Sequence, residues 1–349
     1  MEFSDSQWPA DGLERLGKCP LCGAAARSIL HRGLRDLIFR SAPGEWDLWR
    51  CSNCSCGYLD PRPSKDTILL AYRSYYTHDE AAPRSEPGSA FGRWRRKLAN
   101  GYRNWRFGSR FRPASWLGVP LILASPRLRA SIDVPLRHLP PLGPGEVPAV
   151  LDVGSGNGEF LRSASDAGWR SCGCDPDPKS VERARKGGFE VRLGGIESWA
   201  DAPAAFDAIT LNHVIEHVHD PLAEIAQASR LLRPGGMIYI ETPNVDALGH
   251  SLYGPAWRGL EPPRHLVLFS WGEMRRVLMN AGFERIERVS RPGVFSGLAA
   301  QSVGIANDPH APRSQVGRKL PPNVGQRLAS ALSPLHSEFI ALVARKPND

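Results

Sequence analysis

The chain has 349 residues, 42% of them hydrophobic and 23% charged, with a formal net charge of +8. These proportions exclude a wholly disordered chain, a collagen-like repeat and a coiled coil, and the length allows two or three domains. The longest apolar run, Trp116 to Ala124, is nine residues long and contains Pro120, well short of the ~18 residues a membrane-crossing helix needs.

The opening MEFSDSQWPADG lacks a basic stretch followed by an apolar one, so no secretory leader is expected. Five of the seven cysteines fall in the first 60 residues: Cys19, Cys22, Cys51, Cys54 and Cys56. An odd count without a leader points to a reducing, cytoplasmic setting. Cys19-Pro-Leu-Cys22 and Cys51-Ser-Asn-Cys54 are two CxxC turns separated by 28 residues. Four thiolates so spaced match a closed tetrahedral zinc site of structural type. Cys56 competes with Cys54 for the fourth place, and the spacer reads as a small hairpin. Residues 15–65 are therefore expected to form a zinc-ribbon module.

Residues 66–145 read as a basic, aromatic, helical linker or cap. Between Pro87 and Ile132 there are ten Lys/Arg and no Asp/Glu, so the rest of the chain carries 34 Lys/Arg against 36 Asp/Glu. Phe91, Trp94, Leu98 and Trp105 recur near helical spacing, with Arg95, Arg96, Arg103 and Arg106 largely on other faces. Three readings stand: a docking helix against the protein's own core, an interfacial membrane helix spanning residues 91–124, and a nucleic-acid groove.

From residue 146 the pattern turns to alternating strands and helices, which predicts a Rossmann-like α/β domain with a doubly wound, seven-stranded sheet. Strands are expected at Ala149–Val153, Arg170–Cys174, Glu190–Arg192, Phe206–Leu211, Met237–Glu241, Phe283–Val289 and Glu338–Ala344. Helices are expected at Glu159–Ala167, Lys179–Lys186 and Pro221–Leu232, the last with Leu222, Ile225, Ala226 and Ser229 as its stripe. A further helix from Ser270 to Ala281 opens with a Ser270/Glu273 capping box. The roughly 27-residue connection over 243–269 has the length of a lid.

Val150 to Phe160 carries Gly154-x-Gly156-x-Gly158 between a strand and a helix. Glycines there admit close backbone approach by a ligand, and the helix start offers free N–H groups. Asp175, ending the next strand, is placed to bind a ribose diol. His213, Glu216 and His217 follow the fourth strand, and one turn of helix would put them on one face. They read as a brace for the loop, as a general base with Glu216 orienting His217, or as a divalent-metal site. In Trp257 to Phe269, Arg264 suits bidentate pairing with an anionic substrate and His265 is a second base candidate; the alternative is that both merely pin the loop to the sheet.

The succession LDVGSGNG, Asp175, FDAITLNHVIEHVHDP and LLRPGGMIYIETPN resembles the motifs of class I S-adenosylmethionine-dependent methyltransferases. The resemblance implies that Asp152, Gly154, Ser155, Gly156 and Gly158 hold the methionine end of S-adenosylmethionine, and Asp175, followed by Pro176, the ribose. It sets Ile196 and Glu197 beside the adenine and Asn212 at the sulfonium. The Glu216-His217 pair resembles that of ubiquinone-pathway O-methyltransferases, which use it with a metal, and that of zinc-containing deoxysugar C-methyltransferases, where the histidine is a base. The cysteine module with YRSYY after it resembles the N-terminal zinc module of the sugar methyltransferases. That likeness implies that Tyr72, Tyr75 and Tyr76 help close the substrate pocket; Trp257, in the long loop, is a further substrate candidate.

The expectation is thus a cytoplasmic methyltransferase domain over 146–349, possessing a structural zinc on Cys19, Cys22, Cys51 and Cys54. Its acceptor would be a small molecule or glycan, O-methylation being favoured, with peripheral association at the inner face of a membrane through residues 91–124 as one of the three readings of the basic segment. The alternatives are an RNA base methyltransferase and a non-catalytic zinc-ribbon binding protein.

Overall fold

The computed structural model describes residues 7–72, 89–308, 321–323, 325–326 and 334–348. The N-terminal part holds β1 (Leu13–Glu14), β2 (Arg27–Leu34), β3 (Trp46–Cys51), β4 (Gly57–Leu59) and β5 (Arg62–Pro63), followed by α1 (Ala90–Phe107), α2 (Gly118–Leu123) and α3 (Pro126–Asp133). Then come β6 (Ala149–Val153), α4 (Glu159–Asp166), β7 (Arg170–Asp175), α5 (Pro178–Lys186), β8 (Glu190–Leu193), β9 (Phe206–Asn212), α6 (Pro221–Leu231) and β10 (Leu232–Pro243). The chain continues with α7 (Leu248–Tyr253), β11 (Val267–Leu268), α8 (Trp271–Asn280), β12 (Glu284–Arg288), α9 (Val294–Ala306) and β13 (Phe339–Arg345).

Seven strands form one sheet in the order β12-β13-β10-β9-β6-β7-β8. Strands β6 to β10 run parallel, and β13 inserts antiparallel between β10 and β12. All five residues of β6 are buried, as an apolar run covered on both faces requires. The order reverses between β6 and β9, so the crevice at their carboxyl ends is the ligand position of such a sheet. Asp177, Asp220 and Ser270 cap α5, α6 and α8 by accepting backbone N–H groups of the first turn. The expected capping box is half made, because the Glu273 carboxylate turns to Arg276.

The expected stripe of α6 is rotated. Pro221, Ile225, Ala228 and Leu231 are buried, whereas Leu222 is 38% exposed and Ala226 is at the surface. The helix also ends before Pro234-Gly235-Gly236. These residues lie inside β10, where the pairing with β9 slips between Leu232 and Met237.

The N-terminal module is welded to the large domain. β2 and β3 form the expected hairpin. β11, from the 243–269 connection, adds to β4 and completes a four-stranded sheet in the order β11-β4-β3-β2. The connection is therefore a packed joint where a lid was expected. Residues 259–270 are all buried, and Trp257 and Leu260 share a core with Trp8, Leu34, Trp46 and Leu48.

At the centre of this joint Arg264 meets Asp36, both side chains fully excluded from solvent. The guanidinium donates to both carboxylate oxygens at 2.6 and 3.0 Å, to the Ala71 carbonyl at 2.9 Å and to Glu261 at 3.2 Å. Asp36 also accepts the backbone N–H groups of Phe39, Ser41 and Ala42. Burial works against its charged form, but the Arg264 guanidinium and these donors hold its carboxyl below the usual range.

The basic segment forms the expected helix, α1, yet its buried side is different. Tyr102 and Phe107, together with Ile122 and Ile132, enter the core beneath α4. Of the expected apolar face only Leu98 is buried; Phe91, Trp94 and Trp105 are 65%, 52% and 57% exposed.

Replacing Arg264 by Met leaves a buried carboxylate unpaired. We expect a loss of about 3–5 kcal/mol in urea unfolding, with much of it recovered in the double variant Arg264→Met/Asp36→Leu. Equal stability of the single variant and the wild type would contradict the role of this pair.

Candidate active site

The site begins at the loop joining β6 to α4. Gly154, Gly156 and Gly158 all have left-handed backbone, with φ of 68°, 54° and 84°, which is why glycine stands at each. A Cβ built at Gly156 would meet nothing within 4 Å, whereas at Gly154 it would sit 2.6 Å from Val214 Cγ2. The loop is thus open at its centre and closed on one flank by the segment that follows β9. Asp175 braces it, accepting Gly156 N–H at 2.8 Å and Asp177 N–H at 2.9 Å. Burial raises the Asp175 carboxyl above its ordinary value. Pro176 follows at the surface, Ile196 is turned into the core, and Glu197 is exposed and accepts Gly195 N–H at 2.8 Å. Asn212 ends β9, half-buried.

Asp152 is fully buried at the end of β6. Its Oδ1 receives Thr210 Oγ1–H at 3.0 Å and the Arg137 guanidinium, which also reaches Thr210 at 2.7 Å. Asp152 Oδ2 and Ser155 Oγ are buried with no hydrogen-bond partner in the protein. Such orphaned groups, one in β6 and one on the glycine loop, are what an ammonium-bearing, carboxylate-bearing ligand would satisfy. This donor set therefore fits the methionine end of S-adenosylmethionine. Arg137 is a residue that sequence reasoning missed. It lies before the first strand, carries a left-handed φ of 47° and covers the Phe160 ring at 3.8 Å. No periodicity or motif marks it.

The acid–histidine cluster sits in a turn, not on a helix; His213 itself has a φ of 55°. His213 lies between two buried carboxylates, 3.3 Å from Glu216 Oε1 and 3.3 Å from Glu241 Oε1. Burial opposes its protonation, yet hydrogen bonds to Glu216 and Glu241 push it up to about 9. The two carboxylates thus favour its charged form, which suits it less to the role of base than His217. Glu216 is spent on His213 and on Thr242 Oγ1 at 2.9 Å, and burial yields to His213 in holding it down to about 2. The expected hydrogen bond orienting His217 comes from elsewhere. His217 Nδ1 lies 3.0 Å from the Arg264 carbonyl and 3.0 Å from Tyr72 Oη. A carbonyl partner puts the proton on Nδ1 and leaves Nε2 free as acceptor.

His265 is likewise pinned, donating from Nδ1 to the Gly259 carbonyl at 2.8 Å, its ring centroid 4.7 Å from that of His217. Burial lowers it to about 4, so it is neutral. Glu216, His217 and His265 offer ligand atoms within 4.8 Å of one another. This set replaces the expected His213, Glu216 and His217. Two imidazoles with Nδ1 fixed by backbone carbonyls have the second-shell support that metal ligands use.

Two expected substrate residues are removed from any cleft. Arg264 is consumed by Asp36 and Glu261. Trp257 is buried, donates to Glu338 at 2.7 Å and stacks on His250. Tyr72 reaches the site through His217, while Tyr75 and Tyr76 lie outside the described residues.

In the module the Sγ atoms of Cys19 and Cys54 are 3.6 Å apart and those of Cys22 and Cys51 3.5 Å apart, all four within 4.8 Å. A tetrahedral zinc with Zn–S near 2.3 Å requires Sγ separations of about 3.8 Å, so the four thiols fit it. Cys56 is outside this cluster, buried against Ser270.

Residues 124–288 match the family model of the methyltransferase domain. The chain is similar to the ubiquinone biosynthesis O-methyltransferase of Xanthomonas oryzae pv. oryzae, 37% identical over 27% of this chain and 43% of that protein. It is 34% identical to that of Thiobacillus denitrificans, over 30% of this chain and 47% of the relative. The chain thus spans less than half the length of these relatives. Among solved structures, a SAM-dependent methyltransferase from Archaeoglobus fulgidus shares 18% identity at a TM-score of 0.41, over 66% of this chain and 99% of that one. The family match and the strand–glycine loop–Asp175 arrangement together identify residues 124–288 as a class I, S-adenosylmethionine-dependent methyltransferase domain.

Proposed function

We propose that the protein moves a methyl group from S-adenosylmethionine to a hydroxyl of a small-molecule or glycan acceptor, with His217 as general base. The observation that carries this reading is the position of His217. Its turn abuts the glycine loop through Val214, and its Nδ1 is pinned so that Nε2 is free. S-adenosylmethionine supplies an electrophilic methyl on a sulfonium. The acceptor oxygen forms the new C–O bond as the S–C bond breaks, and its proton passes to His217 Nε2. The protein's work is to orient the hydroxyl and remove that proton in step with the transfer. His213, charged and held by two carboxylates, positions the turn.

The O-methyltransferase names of the relatives support an oxygen acceptor. The likeness of the cysteine module to that of sugar methyltransferases supports a sugar-bearing one. We read Cys19, Cys22, Cys51 and Cys54 as a structural zinc site and the enzyme as cytoplasmic, working at the inner face of a membrane. A second reading, a divalent ion on Glu216, His217 and His265, is favoured by their mutual distances. Such an ion would polarise the acceptor oxygen.

The test is uptake of labelled methyl by sugar nucleotides, lipid-linked glycans and phenols. His217→Gln is expected to lower kcat by about 10²–10⁴-fold with cofactor binding retained. An unchanged kcat would remove His217 from the chemistry. If a divalent ion takes part, added Mg²⁺ or Mn²⁺ raises the wild-type rate, and His265→Gln abolishes that response. Elemental analysis is expected to find zinc in the purified chain, lost in Cys54→Ser and kept in Cys56→Ser. Loss in Cys56→Ser alone would reassign the fourth ligand.

A further inference from the structure

Helices α1 to α3 carry a surface that the methyl-transfer reading does not use. Their inner side is satisfied by Tyr102, Phe107, Ile122 and Ile132 in the sheet core. Their outer side is apolar: eight of the fourteen large hydrophobic side chains exposed among the described residues fall between 91 and 128. Two glycines make these side chains one surface. A Cβ on Gly101 would lie 1.8 Å from the Ser115 carbonyl oxygen, and one on Gly118 would lie 1.9 Å from that of Leu98. The chain entering α2 is therefore pressed against α1. Trp116, 75% exposed, and Leu117 and Leu121, each about half exposed, extend the stripe of Phe91, Trp94 and Trp105. Around it lie the exposed Arg93, Arg95, Arg96, Lys97, Arg110 and Arg112. Residues 89–132 hold ten Lys/Arg and no acid.

We propose that this surface docks on an anionic lipid bilayer, with the tryptophans and leucines at the headgroup–acyl boundary and the arginines on lipid phosphates. This deepens the peripheral-membrane part of the proposed function and is independent of methyl transfer. Exposed indole and aliphatic side chains ringed by cations match an interfacial helix. Leucines do not stack on bases, which disfavours a nucleic-acid groove. A second copy of the chain would bring two acid-free faces together, which like-charge repulsion opposes. Beside α3 a cleft of about 1110 Å³ is lined by Arg127, Ser131, Trp271, Arg288, Arg291 and Phe339. Arg291 lies 2.8 Å from Glu241, the partner of His213. The docking surface thus stands next to an arginine-bearing cleft that borders the His213 turn through Arg291 and Phe339, suited to an anionic acceptor presented by the membrane.

The test is flotation of the full chain with vesicles of phosphatidylcholine alone or mixed with phosphatidylglycerol. We expect binding to the anionic vesicles, weakened at least about tenfold by roughly 0.5 M salt. Trp94→Glu/Trp105→Glu/Trp116→Glu should lose binding by about tenfold or more, with unchanged Tm and S-adenosylmethionine affinity. No flotation with anionic vesicles, or equal flotation of the triple variant, would overturn the proposal. So would RNA binding without vesicle binding, or a dimer in sedimentation that the triple variant turns into monomer. If the wild type floats but binds no S-adenosylmethionine, docking stands and the methyltransferase reading falls.

Discussion

A solvent-free ion pair, Arg264 with Asp36, sets the arrangement of everything around it. Two charges removed from water are tolerable only when geometry is good and the remaining hydrogen-bonding groups are met. Both conditions hold here, and meeting them dictates the local fold. Three backbone N–H groups of the 39–42 turn converge on Asp36. The guanidinium draws in the Ala71 carbonyl, which fixes the turn bearing Tyr72. The carbonyl of Arg264 itself holds His217 Nδ1. One pair thus ties the cysteine module, the 243–269 connection and the base candidate into a single unit. A disturbance in the module is expected to reach the active site through this path.

A second constraint is the distribution of charge at the carboxyl ends of β9 and β10. Glu216 and Glu241 are both buried, and His213 lies between them as a cation, with Arg291 on the far side. This arrangement favours the charged form of His213, and Glu216 braces the turn through His213 and Thr242. His217, on the same turn as the Val214 that abuts the glycine loop, is held through Nδ1 by the Arg264 carbonyl. The same economy governs the loop itself. Asp175 accepts one backbone N–H group on each oxygen, which shapes the loop and leaves further lone pairs for a ligand, while Asp152 Oδ2 and Ser155 Oγ have no partner in the protein.

Much of this was legible in the sequence because it is local or periodic. The strands of the sheet announce themselves as short apolar runs, the loop by its glycines, and the four-cysteine cluster by two CxxC turns at suitable spacing. The rest depends on contacts between distant positions. Asp36 and Arg264 are 228 residues apart, and nothing in either neighbourhood names the other. Arg264, in a long loop rich in functional residue types, could be read equally as a substrate contact or as a pin for the loop, and Trp257 as a substrate contact. Burial assigned them to structure. The stripe of α6 was misread because Leu222 is apolar but exposed, whereas the buried row starts at Pro221. The 3.6-residue period gives a face, and which face turns inward is set by the sheet. In α1 the same ambiguity hid a division of labour, with one set of aromatics in the core and another in solvent.

Titration calorimetry of S-adenosylmethionine into the full chain, with Asp175→Ala as comparison, tests the central claim most directly. The account predicts one site per chain, weakened tenfold or more in the variant, as loss of hydrogen bonds to a charged group worth about 1.5–3 kcal/mol requires. Absence of binding to a folded, zinc-loaded chain would contradict it.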